Sequence, residues 1–511
     1  MNKIQSIILI AGMLIPAFSK AQNEVDALRY SYTDYGGTAR FMSGAGSFGA
    51  IGADISVISI NPSGLGRFNR NEIMFSPGFN IYSTSSEYNH NHRNSSDFRG
   101  NWSNIGMVAA TKPEGYNNWK SVQFTAAYNK RAIFNQSTTI SGENTNSILA
   151  VFAAGAYGIN TADLENSQPF TGSLAYETYA INPYINSVGD VAYSISYPLE
   201  PVNQTKTITR KGGIGETSFA LSGNYNDKIY IGGALSMPSI RFEENSSHFE
   251  ELITPGTGND SLKNLTYGSF LNTRGSGLNG KLGITYAPVN WFRIAAAYHT
   301  KTRYRMTDSW TNSMDTRFNE GTIFSQSPQN AGKYNYLLFT PSRYVLSAAA
   351  VIMKRGFINV DFEQINYGSA ELRSDVRFDN YSFTNENGQI SELYKNASNI
   401  RIGGEFRITK PLSVRAGYAF YGNPIKDEFT EQNTSKFIYS AGIGFRRKSY
   451  YLDLAYSLTE FTEDYYLYDP VLVNATILDQ RRHDVIATIG FKFWGLPLLL
   501  VNLLHLILNT P

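Results

Sequence analysis

The sequence predicts an all-β fold, a 14-stranded antiparallel transmembrane β-barrel with an N-terminal plug, or hatch, in its lumen. Three observations predict it. From about residue 72 onward hydrophobicity repeats with a period of two, as in strands with one apolar face. The connections between these segments alternate between short and long, as in barrels that cross a membrane. Ahead of them, from Tyr35 to Phe68, lies a glycine-dense block that is apolar enough to pack but has the wrong pattern for a membrane strand.

Taken in order, residues 1–21 read as a secretory signal: Lys3 gives the positive start, Ile7 to Phe18 the apolar stretch, and Ser19-Lys20-Ala21 the cleavage site. The apolar part is too short for a spanning helix. Residues 22–71 form the hatch and 72–494 the barrel. Alternation is clearest in the C-terminal half. In 450–459, Tyr450, Leu452, Leu454, Tyr456 and Leu458 alternate with residues that include Asp453, Ser457 and Thr459. The segments 412–421 and 483–493 alternate in the same way. Six short turns and seven long polar stretches predict strands near 72–85, 101–111, 119–136, 214–225, 229–245, 264–287, 291–311, 334–353, 357–371, 398–408, 412–422, 434–446, 450–465 and 482–494, with both ends of the barrel on the periplasmic side. The first outer loop is expected at 86–100 and the longest at 137–213. In the long loop, Ile148 to Tyr157 is Ala-rich and Leu174 to Ile185 is Tyr-rich, which predicts short helices on the outer rim. A lid over the entrance and a variable decoration both fit it. The tail 495–511 is apolar from Leu498 to Leu508 but too short to span, and reads either as a frame-shifted end or as an interfacial segment.

Composition agrees with the barrel. Aromatic residues make up 14% of the chain, with 34 Tyr and 31 Phe. Mean hydropathy is slightly polar, because lipid-facing and lumen-facing residues alternate. With 44 basic against 42 acidic residues, no basic excess marks a nucleic-acid partner. There is no cysteine, so disulfides and cysteine-based zinc sites are excluded. No Gly-x-Ser-x-Gly elbow, His-Glu-x-x-His pair or phosphate loop occurs, so no enzyme activity is expected.

The N-terminal block resembles a known family. Asp26-Ala27-Leu28-Arg29-Tyr30-Ser31, Tyr35-Gly36-Gly37-Thr38-Ala39-Arg40, Gly44 to Asp54, and Ile60-Asn61-Pro62-Ser63-Gly64-Leu65-Gly66 are similar to the hatch of the outer-membrane long-chain fatty-acid transporter (FadL/TodX-like) family. The likeness is to the Bacteroidetes-type branch often labelled "hemin receptor". Ser63 departs from the family's usual Asn-Pro-Ala. Tyr298-His299-Thr300-Lys301-Thr302 with Met306-Thr307-Asp308 resembles the family's seventh strand. The resemblance implies a hydrophobic small-molecule ligand, a monomer in the outer membrane of a Gram-negative cell in contact with its lipid, and no cofactor. It also implies that ligands enter from outside and leave sideways through a gap in the wall.

Three sets of candidate site residues follow. In the hatch, Gly36, Gly37, Gly44, Gly46, Gly49, Gly52 and Gly64 allow tight backbone approach, and Asn61-Pro62 stops any strand begun at Ile55 to Ile60. In the seventh strand, if Phe292, Ile294, Ala296 and Tyr298 face lipid, an unbroken alternation turns Arg293, His299, Lys301, Arg303 and Arg305 inward as a basic ladder. That ladder supports the plug or holds a ligand carboxylate. For the lateral gap the candidates are Asn129, Lys130 and Arg131, mid-strand in the third, and Pro238 in the fifth. His90-Asn91-His92 on the first outer loop reads as solvated, and no metal site is expected.

Overall fold

The computed structural model describes residues 24–113, 118–196, 201–254, 256, 258, 261–430 and 432–493. The expected signal (1–21) and apolar tail (495–511) lie outside the described residues. Fourteen antiparallel strands close into one barrel among the described residues. They are β1 (Asn71–Tyr88), β2 (Asn91–Thr111), β3 (Trp119–Ile133 and Gln136–Asn144), β4 (Val202–Tyr225), β5 (Ile229–Leu252), β6 (Leu262–Val289) and β7 (Phe292–His299 and Arg303–Phe318). The second half is β8 (Gly332–Phe339 and Arg343–Ile352), β9 (Gly356–Asn366 and Glu371–Ser374), β10 (Asn396–Arg407), β11 (Leu412–Tyr421), β12 (Lys436–Arg446), β13 (Tyr450–Tyr465) and β14 (Thr476–Phe493). Closure is made by β14 on β1, from Asn71↔Phe493 to Glu87↔Ile477. No helix among the described residues is long and apolar enough to cross a membrane; the crossing is made by strands.

The alternation does what the period requires. On β13, Leu452, Leu454 and Tyr456 face outward and are exposed, while Asp453 and Ser457 between them are buried in the lumen. The strands are longer than expected on the loop side. β1 and β2 run through the region expected as the first outer loop and meet at Asn89-His90, whose φ of 46° and 67° gives the tight turn that suits strand twist. β3 and β4 likewise consume both ends of the loop expected at 137–213, pairing from Gln136↔Arg210 to Asn144↔Val202. Both misreadings have one cause: strand that projects beyond the bilayer is polar on both faces and carries no alternation.

What remains of the long loop folds over the outer mouth. It carries short helices at Leu149–Ala156, Leu164–Ser167 and Gly172–Glu177, and a hairpin pairing Ile181–Ile185 with Val191–Ile195. Phe152, Leu149 and Leu174 bury against Leu252, Leu265, Met314, Tyr468 and Leu478 of the rim, forming an apolar cap. Residues 24–68 occupy the lumen. The segment Ile55–Ser59 is a 3-10 turn rather than a strand, because Asp54 caps it by accepting the Ser56 N–H at 3.0 Å.

Candidate functional site: the hatch and the breaks in the wall

The hatch is a chain of short helical turns, each started by a small polar cap. Thr38 accepts the Phe41 N–H at 3.2 Å and donates to Asp54 at 2.8 Å, tying the turn Ala39–Ser43 to Ile55–Ser59. Asn61 accepts the Ser63 N–H at 3.1 Å and donates to the Gly49 carbonyl at 2.7 Å, with Pro62 starting the turn Pro62–Arg67. Phe41, Phe48, Ile55 and Ile58 fill its centre and are fully buried. Of the hatch glycines, Gly46 and Gly52 need their identity for conformation: their φ values are +69° and +63°, and a Cβ on Gly52 would also strike the backbone of Gly64. Gly44, Gly46 and Gly49 are each pressed against a side chain (Phe48, Tyr35 and Ser347), and Gly37 against Ser56.

Buried ion pairs fasten this plug to the wall. Arg40 meets Glu405 at 2.8 Å; Glu405 also takes Arg415 at 2.7 Å, and Arg415 reaches Asp453 at 2.7 Å. Asp34 is held by Lys436 at 2.8 Å and Arg482 at 3.2 Å. Burial by itself would raise the Asp34 carboxyl, but these two cations hold it below the usual carboxylate range. Asp361 accepts the Gly49 N–H at 3.2 Å, and Arg343 donates to the Ser31 carbonyl at 2.6 Å. Ser59 donates to Glu216 at 3.0 Å, and Glu216 is paired with Lys281.

The expected basic ladder is cut in two. Arg293 and His299 point inward as read, and His299 donates its Nε2 hydrogen to the Ile60 carbonyl of the hatch at 2.7 Å. Lys301, Arg303 and Arg305 are exposed on the outside, and Thr302, Tyr304 and Met306 take the lumen positions. The cause is a bulge. Opposite β6 the register is His299↔Lys281 but Arg303↔Leu278, so β7 advances four residues while its partner advances three. One extra residue flips every later side chain to the other face. The bulge is not local. β8 leaves the ladder opposite it, between Phe339 and Arg343 around Pro341, and β9 leaves it between Asn366 and Glu371. Pro238 lies on the same line. β5 pairs Ser236↔Asn279 and next Ser239↔Ser276, so Pro238, which has no N–H to donate, opens a break two residues long. Its ring faces a narrow lumen cavity shared with Arg131, Glu216, Lys281, His299 and Tyr304.

A larger break flanks Asn129-Lys130-Arg131. The β2–β3 ladder runs from Thr111↔Val122 to Asn104↔Asn129 and stops there, while β3 continues on β4 with a register shift between Lys130 and Ala132. Beyond it the strands are tied through side chains only, Arg93 to Ser141 at 2.7 Å and Thr139 N–H to Ser95 at 3.1 Å. The hatch backbone seals the opening from inside. Asp34 N–H donates to the Arg131 carbonyl at 3.0 Å, and Ser103 donates to the Gly37 carbonyl at 2.7 Å. Asn129 donates to Ser59 at 3.0 Å. Gly36 lies so close to Lys130 that a Cβ would collide with its carbonyl. Lys130 itself points outward and Arg131 inward.

Reading the sequence alone misses the apolar layer between hatch and cap. Tyr30 of α1, the hatch helix Glu24–Ser31, packs with Phe242, Tyr304, Met306, Tyr336 and Tyr367 on the inner wall. The cue was there in Tyr304 and Met306, which alternate correctly once the bulge is known. The Tyr32 and Tyr35 hydroxyls have no hydrogen-bond partner among the described residues. On the outside, a shallow apolar depression of about 880 Å³ crosses β4 to β8, lined by Leu221, Ile231, Leu282, Ile284, Tyr298 and Tyr344.

A closed barrel with an ion-paired hatch, an apolar lumen layer and a wall break covered by that hatch defines a plugged transport barrel of the outer membrane. Residues 26–466 match the family described as outer membrane protein transport protein (OMPP1/FadL/TodX), and the chain belongs to that family. Among solved structures it is similar to the toluene transporter TodX of P. putida, at 11% identity over 90% of this chain and 100% of that one, with a TM-score of 0.51. A Pseudomonas aeruginosa FadL homologue matches at 13% identity over 90% and 98% of the two chains, with a TM-score of 0.48. The Ralstonia pickettii toluene transporter TbuX matches at 14% over 90% and 99%, with a TM-score of 0.47. No curated protein matches the chain.

Proposed function

We propose that this barrel passes hydrophobic small molecules, fatty-acid-like or monoaromatic, from its outer apolar cap through the Tyr30–Tyr336 layer and sideways into the bilayer between β2 and β3, acting as a monomer. The observation that carries the reading is the β2–β3 break, which is covered from inside by the hatch rather than by a neighbouring strand. A hatch that shifts by a few ångströms at Asp34–Gly37 opens a path from lumen to lipid without unfolding the wall. Because the similar structure at a TM-score of 0.51 is named as a toluene transporter, aromatic hydrocarbons are the ligands we would try first. Arg293 and His299 are the members of the ladder that face the lumen, and His299 serves there as a hatch anchor. We assign no catalytic step.

The chain has no cysteine, so an engineered pair is unambiguous. Ser59→Cys with Asn129→Cys, when oxidised, locks the hatch to β3. Uptake of labelled toluene or oleate into cells is expected to fall to the level of a strain lacking the protein, and to recover with reductant. Full uptake through the locked protein would overturn the reading. A second reading, a static stopper with a structural or secretion-partner role, is favoured by the number of buried ion pairs that hold the hatch. It predicts slow, uniform hydrogen exchange across 34–37 with and without ligand. We place the chain in the hemin-receptor branch on its Asp26–Arg40 and Gly44–Asp54 blocks. Haem is therefore the competing ligand to test, with His90 and His92 at the β1–β2 turn supplying imidazoles; purified protein that gives no haem absorbance shift on titration removes it.

A further inference from the structure

The bulge in β7 has a consequence on the outer surface. It delivers Arg303 and Arg305 to the lipid-facing side, next to outward-facing Arg274 on β6 and Arg241 on β5. Arg241 and Arg274 are directly opposed in the ladder, and Arg305 is opposed to Ser276 one outward position away. Like charges directly across a ladder repel, and a sequence with nearly as many acids as bases had the means to avoid the pairing. None of Arg241, Arg274, Arg303 or Arg305 has a carboxylate within salt-bridge distance among the described residues. Of the carboxylates nearby, Asp375 lines the same concavity but is taken up by Arg377, and Glu243 is held by Lys211 at 3.6 Å. The contrast is on the far wall, where outward-facing Arg481 of β14 has Glu460 of β13 across the ladder at 3.0 Å.

The arginines also share a shape and a level. Arg241, Arg274 and Arg305 line a concavity of about 470 Å³ together with the Arg377–Asp375 pair, and with Asn335 as a neutral donor. Directly beneath it, toward the short turns, the same strands present Leu235, Met237, Leu278, Leu282 and Tyr298 to lipid. The site therefore lies where the hydrocarbon band ends on the long-loop side, at the headgroup level of the outer leaflet. Guanidinium forks at that level fit phosphate oxygens, and the apolar wall below fits acyl chains.

We propose that this concavity is a binding site for the phosphorylated headgroup of an acylated glycolipid of the outer leaflet. The site is separate from the transport path, since all its arginines face away from the lumen. The lipid anion neutralises the Arg241–Arg274 repulsion and pins the bulged side of the barrel in the leaflet.

The test uses the full chain in mild detergent and native mass spectrometry. The probes are diphosphoryl lipid A, the same lipid with both phosphates removed, and inorganic phosphate. Wild-type protein is expected to retain one diphosphoryl lipid through detergent exchange. Arg241→Gln/Arg274→Gln/Arg305→Gln is expected to bind it on the order of 100-fold more weakly. A control removing three exposed charges at the opposite rim, Lys354→Gln/Arg355→Gln/Lys448→Gln, is expected to bind like wild type. If the triple variant does not fold, Arg274→Gln alone, which relieves the repulsion, carries the comparison. Equal retention of the dephosphorylated lipid, unchanged binding by the arginine variants, or saturation of the site by inorganic phosphate alone would each overturn the proposal.

Discussion

The wall from β10 to β14 and the wall from β5 to β9 are built from the same alternating strands and short turns, yet they behave oppositely. Between β10 and β14 every ladder runs without interruption, from Asn399↔Tyr421 across to Arg446↔Tyr451 and Tyr465↔Thr476. This wall anchors the hatch with Glu405, Arg415, Lys436, Asp453 and Arg482. Between β5 and β9 four of the five strands leave their ladder on one line, at Pro238, at Thr300–Thr302, around Pro341 and at Tyr367–Ser369, and β6 alone runs through. The lesson is a division of labour. Regular strands hold charges in fixed pairs, whereas the broken line changes which face a side chain presents, and so puts aromatics into the lumen and arginines on the outside.

Four experiments test this contrast, in order of decreasing effect. The largest effect belongs to the regular wall. Asp453→Ala takes a buried carboxylate from Arg415, which keeps only Glu405, and from Arg446. Breaking buried pairs from one side is expected to cost about 3–5 kcal/mol in a urea titration of the folded barrel, and a loss below about 1 kcal/mol would mean that water reaches the pair. Next, Leu235→Arg puts a charge in the hydrocarbon band and is expected to cost about 2–4 kcal/mol, against about 0–1 for Ser239→Arg near the headgroup level. Equal costs would show that the band does not end between them on the broken wall. Third, Gly36→Val drives the hatch off the Lys130 carbonyl, at about 1–3 kcal/mol by the usual cost of overpacking. Faster hydrogen exchange confined to 34–37 and 130–133 is the expected signature, and unchanged exchange there would show that the seal is loose already.

The smallest effect is set by pH. The Asp34 carboxyl is held below its ordinary value, so its pairing with Lys436 and Arg482 is fully present above the unfolded carboxylate pKa. It is lost only as pH falls through the lower folded value. Wild-type stability should therefore drop more steeply than that of Asp34→Asn over roughly pH 5 to 2. Parallel curves would mean that Asp34 does not carry the latch.

Much of this was legible beforehand for a simple reason. A strand with one face in lipid must alternate, and a turn that reverses it must be short and polar; both are local, so β10 to β14 could be read almost residue by residue. The hatch was legible from Asn61-Pro62 and its glycines. The strand extensions beyond the bilayer were not, because outside lipid the alternation lapses. Nor were Lys301, Arg303 and Arg305, because Thr300-Lys301-Thr302 contains no glycine or proline to betray a bulge. Its counterpart cue, Pro341, lies on the next strand.

That this chain is a barrel with a plug follows from its period, turn chemistry and glycine density, which are properties of neighbouring residues. Which face each charge occupies and where the wall opens depend instead on how distant strands pair. Register is a relation between strands, and one unpaired residue inverts everything beyond it. The partners that settle Asp34, Gly36 and Arg40 likewise lie on distant strands, and nothing short of the closed barrel brings them together.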